Sequence, residues 1–513
     1  FGDLVTMDWF DDVWTKEVFA NYFAARIVEP LFPEINHTQN KLKTFTAASL
    51  SEDRTMGTNA IPQPLDNLRN AGLIYGQIIY NKAPVMMEKL VDKMGEANFR
   101  SGIQEYLKTY SYGNATWDDL IRILDSKTTE DLAAFSDVWV NRKGMPTLTF
   151  RTDGQELEIR QHDPYNRGLL WPQRFAVTLC GERDSVIRVN MTDTLFRMQL
   201  PFVPSRVLPN TDGRGYGVFV PDEPALHWLA AHWWEIEDDT ARQSLLMVLY
   251  ENYLAKHISA DDWVNSLITG LPAEKNALVA STASGYLANV MREIAPANRA
   301  EVEARIYTMT QNHPLPSCRI QLMRLFMQNA ISEPMVKKLY ILWQQQSDKH
   351  LNRQDYTTLA YELAIRMPLE SEQILRTQRA RIDDPDRLRQ FDFISRAAVS
   401  DTARLDTLFN SLLAAENRRI EPWTTAVIRY LNHPLREDQS VKYIRPGLEV
   451  LEEVQRTGDI FFPKNWAAAL LGNHLGSSAY EEVVRFLNER PDYSPLLKNK
   501  ILQAAYQLYR ANN

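Results

Sequence analysis

Residues 1–22 read Phe1-Gly2-Asp3-Leu4-Val5-Thr6-Met7-Asp8-Trp9-Phe10-Asp11-Asp12-Val13-Trp14-Thr15-Lys16-Glu17-Val18-Phe19-Ala20-Asn21-Tyr22. From Phe10 onward the apolar residues Phe10, Val13, Trp14, Ala20, Ala24 and Val28 recur at helical spacing, and Glu17 falls inside their stripe. A carboxylate facing a core requires a cation or a metal, because burying it unpaired costs several kcal/mol or forces it to take up a proton. Periodicity by itself favours a buried salt bridge over a metal ligand, since charged groups inside proteins are mostly paired with each other.

The order of residue types around Glu17 carries more. Phe1-Gly2, Leu4-Val5-Thr6, Trp9, Asp12, Trp14, Glu17 and Phe19-Ala20 resemble, in register, the W-F-G-N-L-V-T-x-x-W-W-x-D-L-W-L-N-E-G-F-A stretch of the gluzincin zinc aminopeptidases, alanyl aminopeptidase and its relatives. In that family the stretch follows H-E-x-x-H and contains, near its end, a zinc-ligating Glu. Counting back from Glu17, or from Phe1-Gly2, puts the second zinc His three places before Phe1. The resemblance therefore implies that Glu17 is the third zinc ligand, and that the chain is a fragment beginning just after the H-E-x-x-H motif.

A second segment fits the same family. Ile78-Ile79-Tyr80-Asn81-Lys82 followed by Val85-Met86-Met87 resembles the Y-x-K-G-x-x-V-L segment that holds the family's catalytic tyrosine, which makes Tyr80 that residue by implication. Phe99, Tyr106-Leu107, Tyr112-Gly113-Asn114-Ala115-Thr116-Trp117-Asp118-Asp119-Leu120, Trp139 and Gly144-Met145-Pro146 continue the succession, so the likeness extends to about residue 146. Lys16 stands where Asn is usual, Val18 where Gly is usual, and Ala83-Pro84 where Gly follows the Lys. None of these removes a metal-binding or proton-transferring group. Val18 adds bulk beside the ligand, and Pro84 kinks or starts a helix.

With 513 residues, two to four domains are expected. Hydrophobic residues at 44%, charged residues at 24% and a mean hydropathy of -0.36 describe an ordinary globular composition. A net charge of -8 argues against a nucleic-acid partner, which needs a basic stripe. No apolar run is long enough to span a membrane. The compartment is not readable. Cys180 and Cys318, far apart in sequence, read as small buried hydrophobes rather than a disulfide or a zinc site.

The expected fold is mainly α with a small β-sandwich. Residues 1–142 read as helices, over Phe10–Val28, Leu68–Tyr80, Val85–Met94, Ala97–Thr109, Trp117–Asp125 and Leu132–Asn141, the helical half of a thermolysin-like catalytic domain. Residues 143–221 alternate with period two, with Asp153-Gly154 as a hairpin turn, and predict the β-sandwich. The run Asp212-Gly213-Arg214-Gly215-Tyr216-Gly217 leads into a strand and lacks a following Lys-Ser/Thr, so it reads as a turn and not a phosphate loop. Residues 222–513 form short amphipathic helical pairs without a strict repeat, which predicts a HEAT/ARM-like superhelix.

The resemblance implies a zinc-dependent aminopeptidase acting on peptides. Such chemistry needs three protein ligands, a metal-bound water, a general base and a group to stabilise the oxyanion. Only Glu17 and Tyr80 match parts of that set; the sequence contains no H-E-x-x-H, and His227 and His232 are wrongly spaced for two ligands on one helix face. The expectation is that Zn2+ belongs to the intact protein, and that these 513 residues bind no catalytic zinc and are inactive. The alternative is a catalytically degenerate peptidase-like scaffold that binds a protein or peptide through its superhelix.

Overall fold

The computed structural model describes residues 2–513, so Phe1 of the opening motif lies outside the described residues. Helices dominate and the sheets are small. Two compact units follow one another along the chain, the first reaching Tyr286 and the second running Leu287–Asn513.

The first unit starts with a feature that helical periodicity hides. A short strand β1 (Val5–Met7) pairs in parallel with β2 (Gly113–Ala115), Thr6 opposite Asn114. Residues 1–142 are therefore not all helical, contrary to expectation; three-residue strands are too short to show a period. The long helix begins at Trp14 and ends at Val28, after a single 3-10 turn at Phe10–Asp12. The expected helix Leu68–Tyr80 is likewise broken. It ends at Ile74, Tyr75 is extended, and a π-helical turn Ile78–Lys82 starts afresh before the helix Ala83–Met94, in whose first turn Pro84 sits. Helices Glu96–Tyr110, Trp117–Asp125 and Leu132–Trp139 complete this part. Thr116 and Asp119 close a reciprocal cap at the start of Trp117–Asp125.

Seven further strands follow: β3 (Thr147–Asp153), β4 (Glu156–His162), β5 (Gln173–Cys180), β6 (Ser185–Met191), β7 (Leu195–Gln199), β8 (Arg206–Leu208) and β9 (Val218–Val220). They make a four-stranded sheet in the order β7-β4-β3-β9 and a three-stranded sheet in the order β6-β5-β8. Inward residues of both sheets, among them Leu148, Phe150, Ile159, Phe175, Val177 and Phe219, share one core with Val248 of the helix Asp239–Leu254. The glycine-rich run lies between β8 and β9. There Gly213 and Gly217 take positive φ, and the Asn210 side chain accepts the Gly215 N–H, which makes the segment a turn.

The second unit is helical throughout, from Pro296–Asn312 to Tyr506–Asn512, its helices commonly opened by Pro in the first turn. Cys180 and Cys318 are buried thiols in different units.

Candidate active site

The helix Trp14–Val28 buries Trp14, Val18, Phe19 and Tyr22, a face offset from the apolar stripe read from the sequence. Ala20, Ala24 and Val28 are exposed. Glu17 therefore does not point into the core: its side chain keeps 28% of its exposure, on a half-open face. Nor is it in a buried salt bridge, since among the described residues its ion pair is with the neighbouring Lys16 at 3.9 Å, itself exposed. Val18 is fully buried on the core face, so the bulk that replaces the usual Gly packs inside rather than filling the space in front of Glu17.

Tyr80 lies in the middle of the π-turn Ile78–Lys82, a helix distortion that recurs at functional sites. One helical turn beyond Glu17, Asn21 donates its side-chain amide to the Tyr80 carbonyl at 3.4 Å, tying the two elements together. Adjacent carboxylates of the helix Ala47–Asp53 hold the π-turn at both ends. At its start, Glu52 accepts the Gln77 N–H at 3.1 Å and occupies the space a Cβ on Gly76 would need, 2.6 Å from that position. At its end, Asp53 pairs with Lys82 at 2.7 Å with neither side chain exposed. Asp53 also accepts from Thr58, from the Gly144 N–H and from the Tyr216 hydroxyl, while Lys82 donates to the Gly144 carbonyl at 2.9 Å. The lysine two places after the tyrosine is thus an internal anchor.

The structure brings Glu17 and Tyr80 into one electrostatic neighbourhood and adds a residue that sequence reasoning missed. Tyr75 stacks on Tyr80, ring centroids 5.7 Å apart and nearly parallel. Five positions apart in an uninterrupted α-helix, the two rings would face different ways; the break at Tyr75–Gly76 lets them stack. Burial raises the pKa of both phenols, and the Glu17 carboxylate raises both further. Two phenols kept protonated beside a carboxylate form a pair of hydrogen-bond donors at neutral pH.

A zinc centre needs three protein ligands. Glu17 offers one carboxylate, but among the described residues no three His, Cys, Asp or Glu side chains gather around a common point. This donor set does not make a zinc site by itself. His37 is engaged by the Phe32 carbonyl, and His232 by the Trp228 carbonyl, with its ring stacked on the Trp228 indole.

Residues 1–139 match the peptidase family M1 domain. This first quarter of the chain is similar to peptidase family M1. Proteins similar to it include endoplasmic reticulum aminopeptidase 2 of Homo sapiens, 30% identical over 258 residues, which are 42% of this chain and 26% of that protein. Tricorn protease-interacting factor F2 of Thermoplasma volcanium is 29% identical over 168 residues, 33% of this chain and 22% of that one. Aminopeptidase N of Lactococcus lactis subsp. cremoris is 27% identical over 235 residues, 45% of this chain and 27% of that one. The chain thus spans about a quarter of the length of the relatives it matches.

The M1-like motif residues other than Glu17 and Tyr80 hold the site's frame. Trp9 donates its indole N–H to the Leu65 carbonyl at 2.9 Å, and Asp11 accepts the Leu65 N–H. Asp12 accepts the Trp117 N–H at 3.0 Å, and the Trp14 and Trp117 rings meet at 4.6 Å. Asn114 donates to the Met7 carbonyl across β1 and β2. The opening motif and the Gly113–Leu120 motif are thus two halves of one joint.

Proposed function

We propose that this chain is part of a zinc-dependent aminopeptidase that removes N-terminal residues from peptides, with Glu17 as one zinc ligand and Tyr80 as the donor to the oxyanion. The juxtaposition of a half-buried carboxylate with a phenol kept protonated, on motifs of family M1, carries the proposal. The two His ligands and the general base are assigned to residues outside these 513, which contain no H-E-x-x-H. Held by Glu17 together with those two His, a zinc ion would supply Lewis-acid activation of a water and of the scissile carbonyl. Tyr80 donates a hydrogen bond to the oxygen that becomes negative, a contribution of about 3–4 kcal/mol for a donor of this kind. Asn21 and the Glu52–Asp53 clamp hold the turn that presents the phenol. On this reading the chain on its own binds no catalytic zinc and turns over no substrate.

The finer architecture is part of the same proposal. Residues 1–142 are the helical half of a thermolysin-like domain, and 143–221 a β-sandwich, which the core common to both sheets supports. Residues 222–513 are a HEAT/ARM-like superhelix, supported by the succession of short Pro-opened helices.

Assay of the protein carrying this chain together with its preceding encoded residues, on an aminoacyl fluorogenic substrate, tests the function. Chelator-sensitive turnover is expected, with kcat lowered about 10²–10³-fold by Tyr80→Phe at little change in KM. Chelator-insensitive or absent turnover overturns it, and leaves the second reading, a degenerate scaffold binding a protein or peptide through its helical region. Reading the residues encoded upstream separates the two: His-Glu-x-x-His there supports the enzyme, and loss of either His supports the scaffold.

A further inference from the structure

Away from Glu17 and Tyr80, the helix Ala83–Met94 carries a cation whose neighbours leave its charge unmatched. The Lys89 ammonium donates to the Arg214 carbonyl at 2.6 Å, approaches the Gln173 amide oxygen at 3.5 Å and lies 5.3 Å from the centre of the Trp139 ring. All of these are neutral, and among the described residues no carboxylate lies within ion-pair distance of it. Lys89 borders a hollow of about 150 Å³. The two carboxylates on that wall are already taken: Asp92 pairs with Arg214 at 3.0 Å, and Glu130 binds both Lys93 at 2.5 Å and Arg174 at 3.2 Å. Four cations and two anions therefore line one small space, and among the described residues Lys89 is the one of the four cations with no ion pair.

We propose that this hollow is a binding site for a small oxyanion, a carboxylate or a sulfate-like group, with the Lys89 ammonium as its principal contact. A half-buried ammonium facing only neutral acceptors pays for its lost hydration without an opposite charge, and an anion entering the hollow supplies that charge. Arg174, Lys93 and Arg214 present further N–H donors around the same space, and their own partners leave the site's total charge positive. Phe135 and Pro172 make part of the wall apolar, which suits a carboxylate carrying a short hydrocarbon body. Charges farther off do not replace the ligand. Glu88 is held by Lys41 at 2.6 Å, and Asp212 accepts the Arg214 N–H at 3.1 Å.

Burial pushes the Lys89 amine down to about 8, against the opposing pull of Asp92 and Asp212. An anion that binds the charged form raises that value, and binding weakens as the amine loses its proton. With a pKa near 8, apparent affinity falls about 30-fold between pH 7 and pH 9.5 for an anion whose own charge is constant over that range.

The 513-residue chain can be labelled with ¹³C-dimethyl groups on its lysines and titrated with acetate, butyrate or sulfate, reading each lysine's pKa by NMR. The Lys89 signal is assigned by its absence from both Lys89→Met and Lys89→Arg, so that one variant suffices if the other does not fold. The expected result is one lysine titrating near 8 whose pKa rises saturably with at least one probe, the effect weakening about 30-fold between the two pH values. Butyrate acting more strongly than sulfate identifies an organic carboxylate; sulfate acting more strongly identifies a compact inorganic oxyanion. A Lys89 signal that titrates with the other lysines, or shifts no more than theirs with all three probes, overturns the site and leaves general ionic-strength screening as the cause. The test involves neither Glu17 nor Tyr80, so its outcome is independent of the peptidase reading.

Discussion

Lys82 and Asp53 show how differently two partners of one buried ion pair are insured. Asp53 has four donors: the Lys82 ammonium, the Thr58 and Tyr216 hydroxyls and the Gly144 N–H. Lys82 has the carboxylate and one carbonyl. Asp53→Ala, which strands a cation with no exposure, is expected to cost about 3–5 kcal/mol in urea unfolding of the first unit. Lys82→Met leaves the carboxylate three neutral donors and is expected to cost measurably less; the reverse order contradicts this account. A second residue sets a pH dependence in the second unit. His474 is buried against the Asn432 side-chain oxygen, and burial lowers its pKa to about 4. Its folded value lies below the unfolded one, so the unfolded chain takes up the proton first. The associated stability is present above pH 6.5 and is lost progressively as pH falls toward 4, a total of about 3 kcal/mol. Denaturant midpoints across that window should fall in the parent, and the slope should be shallower in His474→Gln.

Among the elements, the turn that carries Tyr80 is the one whose shape depends on a distant partner. Gly76→Ala places a methyl group 2.6 Å from a Glu52 oxygen and should cost about 1–3 kcal/mol, with faster hydrogen exchange of the amides in 77–82. Unchanged exchange there would mean that Glu52 does not shape the turn. The sequence made Trp117–Asp125 legible to the residue, because Thr116 and Asp119 form a local cap signal. It could not show the break at Tyr75–Gly76, because the group that enforces it, Glu52, belongs to another helix. β1 and β2 were hidden for a similar reason, since their pairing joins segments more than a hundred positions apart. For Glu17 the resemblance picked out the residue, while the apolar spacing misjudged its face: Ala20, Ala24 and Val28 counted as core but are exposed. Tyr75 had no sequence signal, as its place beside Tyr80 exists only because the helix is interrupted.

For the molecule as a whole, the chain divides into two compact units, and thermal unfolding is expected to show two transitions rather than one. The first unit also exposes apolar side chains at the end of the Glu17 helix and just beyond it, with Ile27 at 66%, Leu31 at 67% and Phe32 at 45% of full exposure. A patch of this kind on an isolated chain favours self-association and binding of hydrophobic dyes. Gel filtration of the 513-residue chain should show concentration-dependent association, relieved by Leu31→Ser with Phe32→Ser; a clean monomer with no dye uptake contradicts this. The link between Trp139 and β3 has its own consequence for the molecule. Gly144 is gripped through the two peptide groups that flank it, its N–H by Asp53 and its carbonyl by Lys82. An insertion or cleavage in that connector would therefore slacken the mount of Tyr80 directly, and a tug on the sheets would reach the phenol through one glycine.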